Sequence, residues 1–131
     1  MAKIYYPGTY NPTTKAHENC VNQAQKVFEE VVVVPALLPT RKPDALSFPH
    51  RYNMAQLAFS EIPNVTVAKP FDAENFKLLK GYISNSNINV LLGADAFVKH
   101  AQWLRFVNPV VVQRKKLLIH GKTVTEKNYQ Q

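Results

Sequence analysis

Four valines in succession, Val31 to Val34, constrain this chain more than any other feature. β-Branched side chains are stiff at χ1 and fit a pleated surface. An unbroken apolar run, in place of strict alternation, marks a strand buried on both faces, as in the interior of a parallel sheet. Parallel neighbours cannot be joined by a hairpin. The rest of the sequence must therefore alternate short apolar strands with helical crossovers.

It does. Lys3 to Tyr6 reads as a strand closed by the turn signal Pro7-Gly8. From Thr14 to Phe28 the residues Ala16, Val21, Ala24, Val27 and Phe28 recur at helical spacing. Pro39 and Pro43 mark a loop carrying Arg41 and Lys42, and Ser47 is placed to cap a helix through Phe59, with Met54, Leu57 and Ala58 turned inward. Val65 to Ala68 is a further strand, Ala73 to Ile83 a helix, and Asn89 to Leu92 another buried strand. Asp95 to Phe106 reads as a helix, Val110 to Val112 as a strand, and Leu117 to Ile119 as one more short strand. The pattern predicts an α/β fold: a Rossmann-like, doubly wound parallel sheet in a single domain spanning residues 1–131.

Size and composition agree. A chain of 131 residues, 46% hydrophobic and 19% charged, can bury about two-thirds of its unfolded surface without staples. No apolar run approaches the ~20 residues of a membrane-spanning helix, and MAKIYYPG lacks the apolar stretch of a secretory signal. Cys20 is the one cysteine, so no internal disulfide forms. These features set the expectation of a cytoplasmic protein without a membrane partner. His50, His100 and His120 show no metal-ligand spacing with one another or with Cys20, so no protein-bound metal is expected. The net charge of +7 points to an anionic partner. Apart from the pair Arg41-Lys42, basic residues are scattered singly until Arg114, Lys115, Lys116, Lys122 and Lys127, with no stripe interleaved with aromatics. That favours small phosphates over nucleic acid.

In a doubly wound sheet, ligands bind beyond the carboxyl ends of the strands at the switch point. The segments of interest are Gly8 to His17, Pro35 to Lys42, and Gly93 to Asp95. Gly8 lets the backbone approach a ligand closely, and the helix that follows offers N–H groups and a positive dipole end to an anion. Thr14 and His17, three residues apart, share a face of its first turn, so a hydroxyl and an imidazole converge on whatever that helix end holds. The plainer alternative is that Thr14 caps the helix and His17 lies at its surface.

Gly8-Thr-Tyr-Asn-Pro-Thr-Thr-Lys-Ala-His17 resembles the signature of the nucleotidylyltransferase superfamily. With Asn11 and Thr14 it is most similar to the nicotinamide and nicotinate mononucleotide adenylyltransferases. Two further segments carry the resemblance: Ser47-Phe-Pro-His-Arg-Tyr-Asn-Met54, and Leu91-Leu-Gly-Ala-Asp95 followed by Trp103. The resemblance implies transfer of AMP from ATP to a pyridine mononucleotide with release of pyrophosphate, using Mg²⁺ and no covalent intermediate. It implies His17 and Thr14 as catalytic residues and the Gly8–Thr9 backbone, with Tyr10 and Asn11, as the lining of the phosphate site. Lys42, Arg41 and Arg51 become phosphate-neutralising cations, Gly93 and Asp95 face the nucleotide, and Trp103 stacks on the pyridine ring. Read without the resemblance, Trp103 is a core anchor, Asp95 a helix cap, and Arg51 the partner of an acid such as Glu18 or Asp44. The superfamily's late Ile-Ser-Ser-Thr element has no match in residues 113–131, where Thr123-Val-Thr125-Glu-Lys127 is a weak echo. Phosphopantetheine adenylyltransferase, which Tyr-Pro-Gly-Thr and Pro63-Asn64-Val65 also resemble, supplies an alternative acceptor. A non-catalytic nucleotide-binding module is the third reading. A shortened Rossmann domain can also pair through an exposed edge or helix face, giving a homo-oligomer.

Overall fold

A computed structural model describes residues 3–36, 45–69, 88–93, 108–113, 116–119 and 122–123. Its chain order is β1 (Lys3–Gly8), α1 (Lys15–Gln25), β2 (Glu30–Pro35), α2 (Phe48–Phe59), β3 (Val65–Val67), β4 (Asn89–Gly93), β5 (Asn108–Gln113), β6 (Lys116–Ile119) and β7 (Lys122–Thr123). The strands form one sheet in the order β3-β2-β1-β4-β5-β6-β7. The first five are parallel, and β5, β6 and β7 are joined by antiparallel pairings. The parallel five-strand core is the Rossmann-like sheet that the sequence predicts; the antiparallel extension is additional, and of it only Leu117 to Ile119 reads from sequence as a strand.

The four valines behave as their composition demands. Val31 and Val33 are fully buried in the larger core cluster with Ile4, Leu91 and Val110, while Val34 packs with Phe48 and Ala68 in a second cluster. Val90 and Leu92, which alternate with Leu91, are buried as well. Both faces of the sheet centre are thus shielded from water. α1 contributes Cys20, Val21 and Ala24 to the larger cluster and α2 contributes Ala55 and Phe59, so both helices dock there. The helices read at Ala73 to Ile83 and Asp95 to Phe106 lie outside the described residues. Among the described residues no helix is long and apolar enough to cross a membrane.

Three local expectations are corrected. β1 does not stop at Tyr6 but continues through Pro7 and Gly8, which pair with Val34 and Pro35. The Gly8 carbonyl faces β2, where it accepts the Ala36 N–H at 2.8 Å. Alternation turns Pro7 toward β4, and the β1–β4 ladder runs only through Ile4 and Tyr5. With no N–H, Pro7 cannot donate toward β4, and that ladder stops just before it while the pairing with β2 continues. α1 ends at Gln25, with Ala16 exposed, because the chain turns there to bring Phe28 into the core. In α2 the inward residues are Phe48, Arg51, Ala55 and Phe59, whereas Leu57 is 78% exposed. The buried face of α2 includes an arginine, and that displaces the apolar stripe by which an inward face is read.

Candidate functional site at the carboxyl ends of β1 and β4

The strand order reverses direction between β1 and β4, the switch point of the sheet. Their register pairs Ile4 with Asn89 and Tyr5 with Val90, an offset that brings Gly8 and Gly93 level at the strand ends. Among the described residues, a Cβ at Gly93 would meet nothing within 4 Å. Gly8 is different. A Cβ there would come within 3.0 Å of the Tyr10 ring. The Gly8 carbonyl points at Ala36 beyond β2, and the Thr9 N–H, trans to it across the peptide plane, points toward the β4 side. A main-chain donor is therefore aimed at the crevice.

Thr14 is the N-cap of α1 and His17 its third residue, and together they close a capping box. The Thr14 N–H donates to Nδ1 of His17 at 2.9 Å, and the Thr14 hydroxyl lies 3.0 Å from the same nitrogen. An Nδ1 that accepts leaves the neutral ring's proton on Nε2, where it is a donor. The two sequence readings of this pair are thus compatible. Thr14 caps the helix, and in doing so fixes the tautomer and direction of His17. The helix N-terminus adds its positive dipole end at the same place.

Tyr10 corrects an expectation. Its side chain, 1% exposed, is in the core and cannot line a ligand site. The phenol donates to the Tyr6 carbonyl at 2.6 Å, and the ring meets Tyr6 edge-on at a centroid distance of 5.6 Å. It also lies 4.8 Å from the His17 ring and 6.4 Å from Phe59. The residue has a φ of 55°, a left-handed conformation that costs a bulky side chain about 1–3 kcal/mol. Burial and the hydrogen bond hold it there. Burial also pushes the Tyr10 hydroxyl well above its ordinary pKa, with Tyr6 and Cys20 adding to the shift. Tyr6 is raised for the same chief reason, burial, and Cys20 is raised by burial against an opposing hydrogen bond from Tyr6.

Asn11 and Arg51 also depart from their expected roles. Asn11 Oδ1 accepts the Leu46 N–H at 3.1 Å, so its side chain braces the segment leading into α2. Arg51 is 1% exposed. Its Nε donates to the Leu46 carbonyl at 2.7 Å and its Nη1 to the Thr9 carbonyl at 2.8 Å, with the guanidinium 5.7 Å from the Phe48 ring centroid. These bonds place Arg51 beneath the loop, not across a phosphate. Burial lowers its pKa, yet a guanidinium stays charged at any working pH. One feature has no sequence signal: the Thr13 hydroxyl, one residue before the cap, is buried with no hydrogen-bond partner among the described residues. Arg41, Lys42, Asp95 and Trp103 lie outside the described residues. Among the described residues no group of three or more His, Cys, Asp or Glu side chains converges on a metal position.

The model of the cytidylyltransferase-like family matches residues 5–129. The phosphopantetheine adenylyltransferase of Cupriavidus necator is 36% identical over 93 residues, 70% of this chain and 53% of that protein. A probable nicotinate-nucleotide adenylyltransferase of Geotalea uraniireducens is 30% identical over 125 residues, 82% of this chain and 58% of its own. The chain thus spans little more than half the length of these curated relatives. Among solved structures, the Plasmodium falciparum nicotinic acid mononucleotide adenylyltransferase complexed with APC superposes with a TM-score of 0.63 at 18% identity, covering 96% of this chain and 68% of that one. At that identity the likeness shows a shared fold.

Proposed function

The chain belongs to the cytidylyltransferase-like family, and from that membership we propose that it transfers an adenylyl group from ATP to the phosphate of nicotinate or nicotinamide mononucleotide. The observation that carries the reading is the Thr14–His17 pair, which sets an Nε2–H donor at a helix N-terminus beside the sheet's switch point. An oxygen of the acceptor phosphate attacks the α-phosphorus of ATP. A new P–O bond forms, the bond to the β-phosphate's bridging oxygen breaks, and pyrophosphate leaves. No protein nucleophile is needed. Catalysis of such a transfer is positioning plus charge stabilisation.

His17 donates to the phosphate oxygens as their charge redistributes, and the Thr9 N–H and the first turn of α1 supply further preset dipoles. Mg²⁺ enters with ATP as part of the substrate, chelated by its phosphates, and supplies neutralising charge there. Lys42 and Arg41 are proposed to add cationic contacts, Asp95 to face the nucleotide, and Trp103 to stack on the pyridine ring.

A second acceptor is favoured by one observation. The relative of higher identity is a phosphopantetheine adenylyltransferase, and its acceptor also ends in a phosphate. Purified protein incubated with ATP, Mg²⁺ and each acceptor in turn, with pyrophosphate assayed, tests both readings. Release with a pyridine mononucleotide alone supports the first, and release with phosphopantetheine alone replaces it. ATP binding without release under any acceptor would mark a nucleotide-binding module.

A further inference from the structure

We propose that Arg51 is a positioning residue that aims the Tyr10 main-chain N–H of the β1–α1 loop at an incoming triphosphate; the inference rests on the nucleotide-binding reading above. A guanidinium in a core is expensive to bury, and an apolar residue of similar volume often serves stability as well or better. What the guanidinium adds is direction, because its donors are fixed in a planar fork. Here the fork joins two carbonyls from separate segments, Thr9 at 2.8 Å and Leu46 at 2.7 Å, and Arg51 carries Phe48 beside it on the same helix.

The bonds form a closed circuit. Arg51 holds the Leu46 carbonyl, the Leu46 N–H holds Asn11 Oδ1, and Arg51 returns to the Thr9 carbonyl. Three successive loop residues are thereby tied to different places: Thr9 to α2, Tyr10 to the core through Tyr6, and Asn11 to the segment before α2. Because a trans peptide sets its N–H opposite its C=O, fixing the Thr9 carbonyl on Arg51 fixes the Tyr10 N–H facing away from it. The Gly8 carbonyl on Ala36 does the same for the Thr9 N–H. Both donors are oriented by bonds made at the far ends of their own peptides. Arg51 acts on the anion site without reaching it.

Wild type, Arg51→Lys and Asn11→Ala are compared by amide NMR of the full chain and by calorimetric titration with Mg·ATP and with acceptor. Lysine keeps the charge but not the fork. Arg51→Lys is expected to move the Thr9 and Tyr10 amide resonances and to raise the ATP Kd about tenfold, the size of one lost charge-assisted bond. The amides of Val21 and Ala24, and acceptor affinity, should stay put. Asn11→Ala leaves the guanidinium bonded and frees Leu46, so it should give a smaller shift of the same two amides. It carries the measurement if Arg51→Lys does not fold. Unchanged Thr9 and Tyr10 amides, or a loss of melting temperature with ATP and acceptor affected alike, would overturn the inference. Should the wild type bind no nucleotide, the reading above falls with the aiming role, and moved amides would show only that Arg51 orients the loop.

Discussion

Nδ1 of His17 lies 2.9 Å from the main-chain nitrogen of Thr14, so the candidate catalytic side chain is also half of the cap on the helix that carries it. The two roles separate by substitution. His17→Gln installs a side chain that capping boxes ordinarily use at this position, and His17→Ala installs none. Both should lower kcat/KM by about 2–4 kcal/mol of transition-state stabilisation. Only the alanine variant should lose cap stability, about 1 kcal/mol. Turnover within threefold of wild type in either variant would remove His17 from the reaction.

The glycines at the two strand ends should respond oppositely to alanine. At Gly8 the new methyl meets the Tyr10 ring at 3.0 Å, and the ring is held between Tyr6, His17 and Phe59. Overpacking of this kind costs about 1–3 kcal/mol. Gly93→Ala meets no neighbour among the described residues, so stability should stay within about 0.5 kcal/mol while nucleotide affinity falls if the crevice is where the nucleotide lies. Urea titration and calorimetry on the pair check both halves.

Stability should decline in alkali. Burial favours the neutral forms of Cys20, Tyr6 and Tyr10, so their folded pKa values lie above those of the unfolded chain. As pH rises the unfolded chain loses these protons first, and the equilibrium moves toward it. The decline begins near pH ~8.5 with the thiol and steepens above pH ~10, where each tyrosine contributes up to about 1.4 kcal/mol per pH unit. Urea midpoints at pH 8, 9.5 and 10.5 follow it, and Cys20→Ala should make the decline over the first interval shallower. A midpoint that rises with pH would contradict the placement of all three groups.

The orientation of α2 is open to a simple comparison. Leu57→Ser should change stability by no more than about 0.5 kcal/mol, since the side chain is in solvent. Phe59→Ala, two residues on, should cost about 3–5 kcal/mol because it empties a buried aromatic site beside Tyr10. Similar losses in the two variants would mean the helix is rotated from the position described.

That comparison also shows where a sequence speaks and where it is silent. The valine run, the Ser47 cap and the Thr14–His17 spacing are local facts whose consequences are local: a buried strand, a helix start, a shared face. Arg51 and Tyr10 are not of that kind. A charged residue is a sound marker of an exposed face except where main-chain carbonyls wait for it, and the Thr9 carbonyl is contributed from 42 residues away. Tyr10 stands in a stretch that reads as a ligand-facing loop, and its left-handed backbone and inward ring depend on Tyr6, His17 and Phe59 being assembled around it. Pro7 misled for a related reason. It ends most strands, but here only the β4 side of β1 loses its ladder, while Pro7 and Gly8 go on pairing with β2.

β1 precedes every other described strand in the sequence yet lies in the interior of the sheet. Its partner on one side, Glu30 to Pro35, is synthesised soon after it. The other waits for Asn89, whose side-chain amide meets the Lys3 carbonyl across 86 residues. At ribosomal speeds the interval between the synthesis of these two partners is on the order of several seconds. The two walls of the crevice, one ending in Gly8 and the other in Gly93, are manufactured apart in time, and the crevice cannot exist before the second has been made.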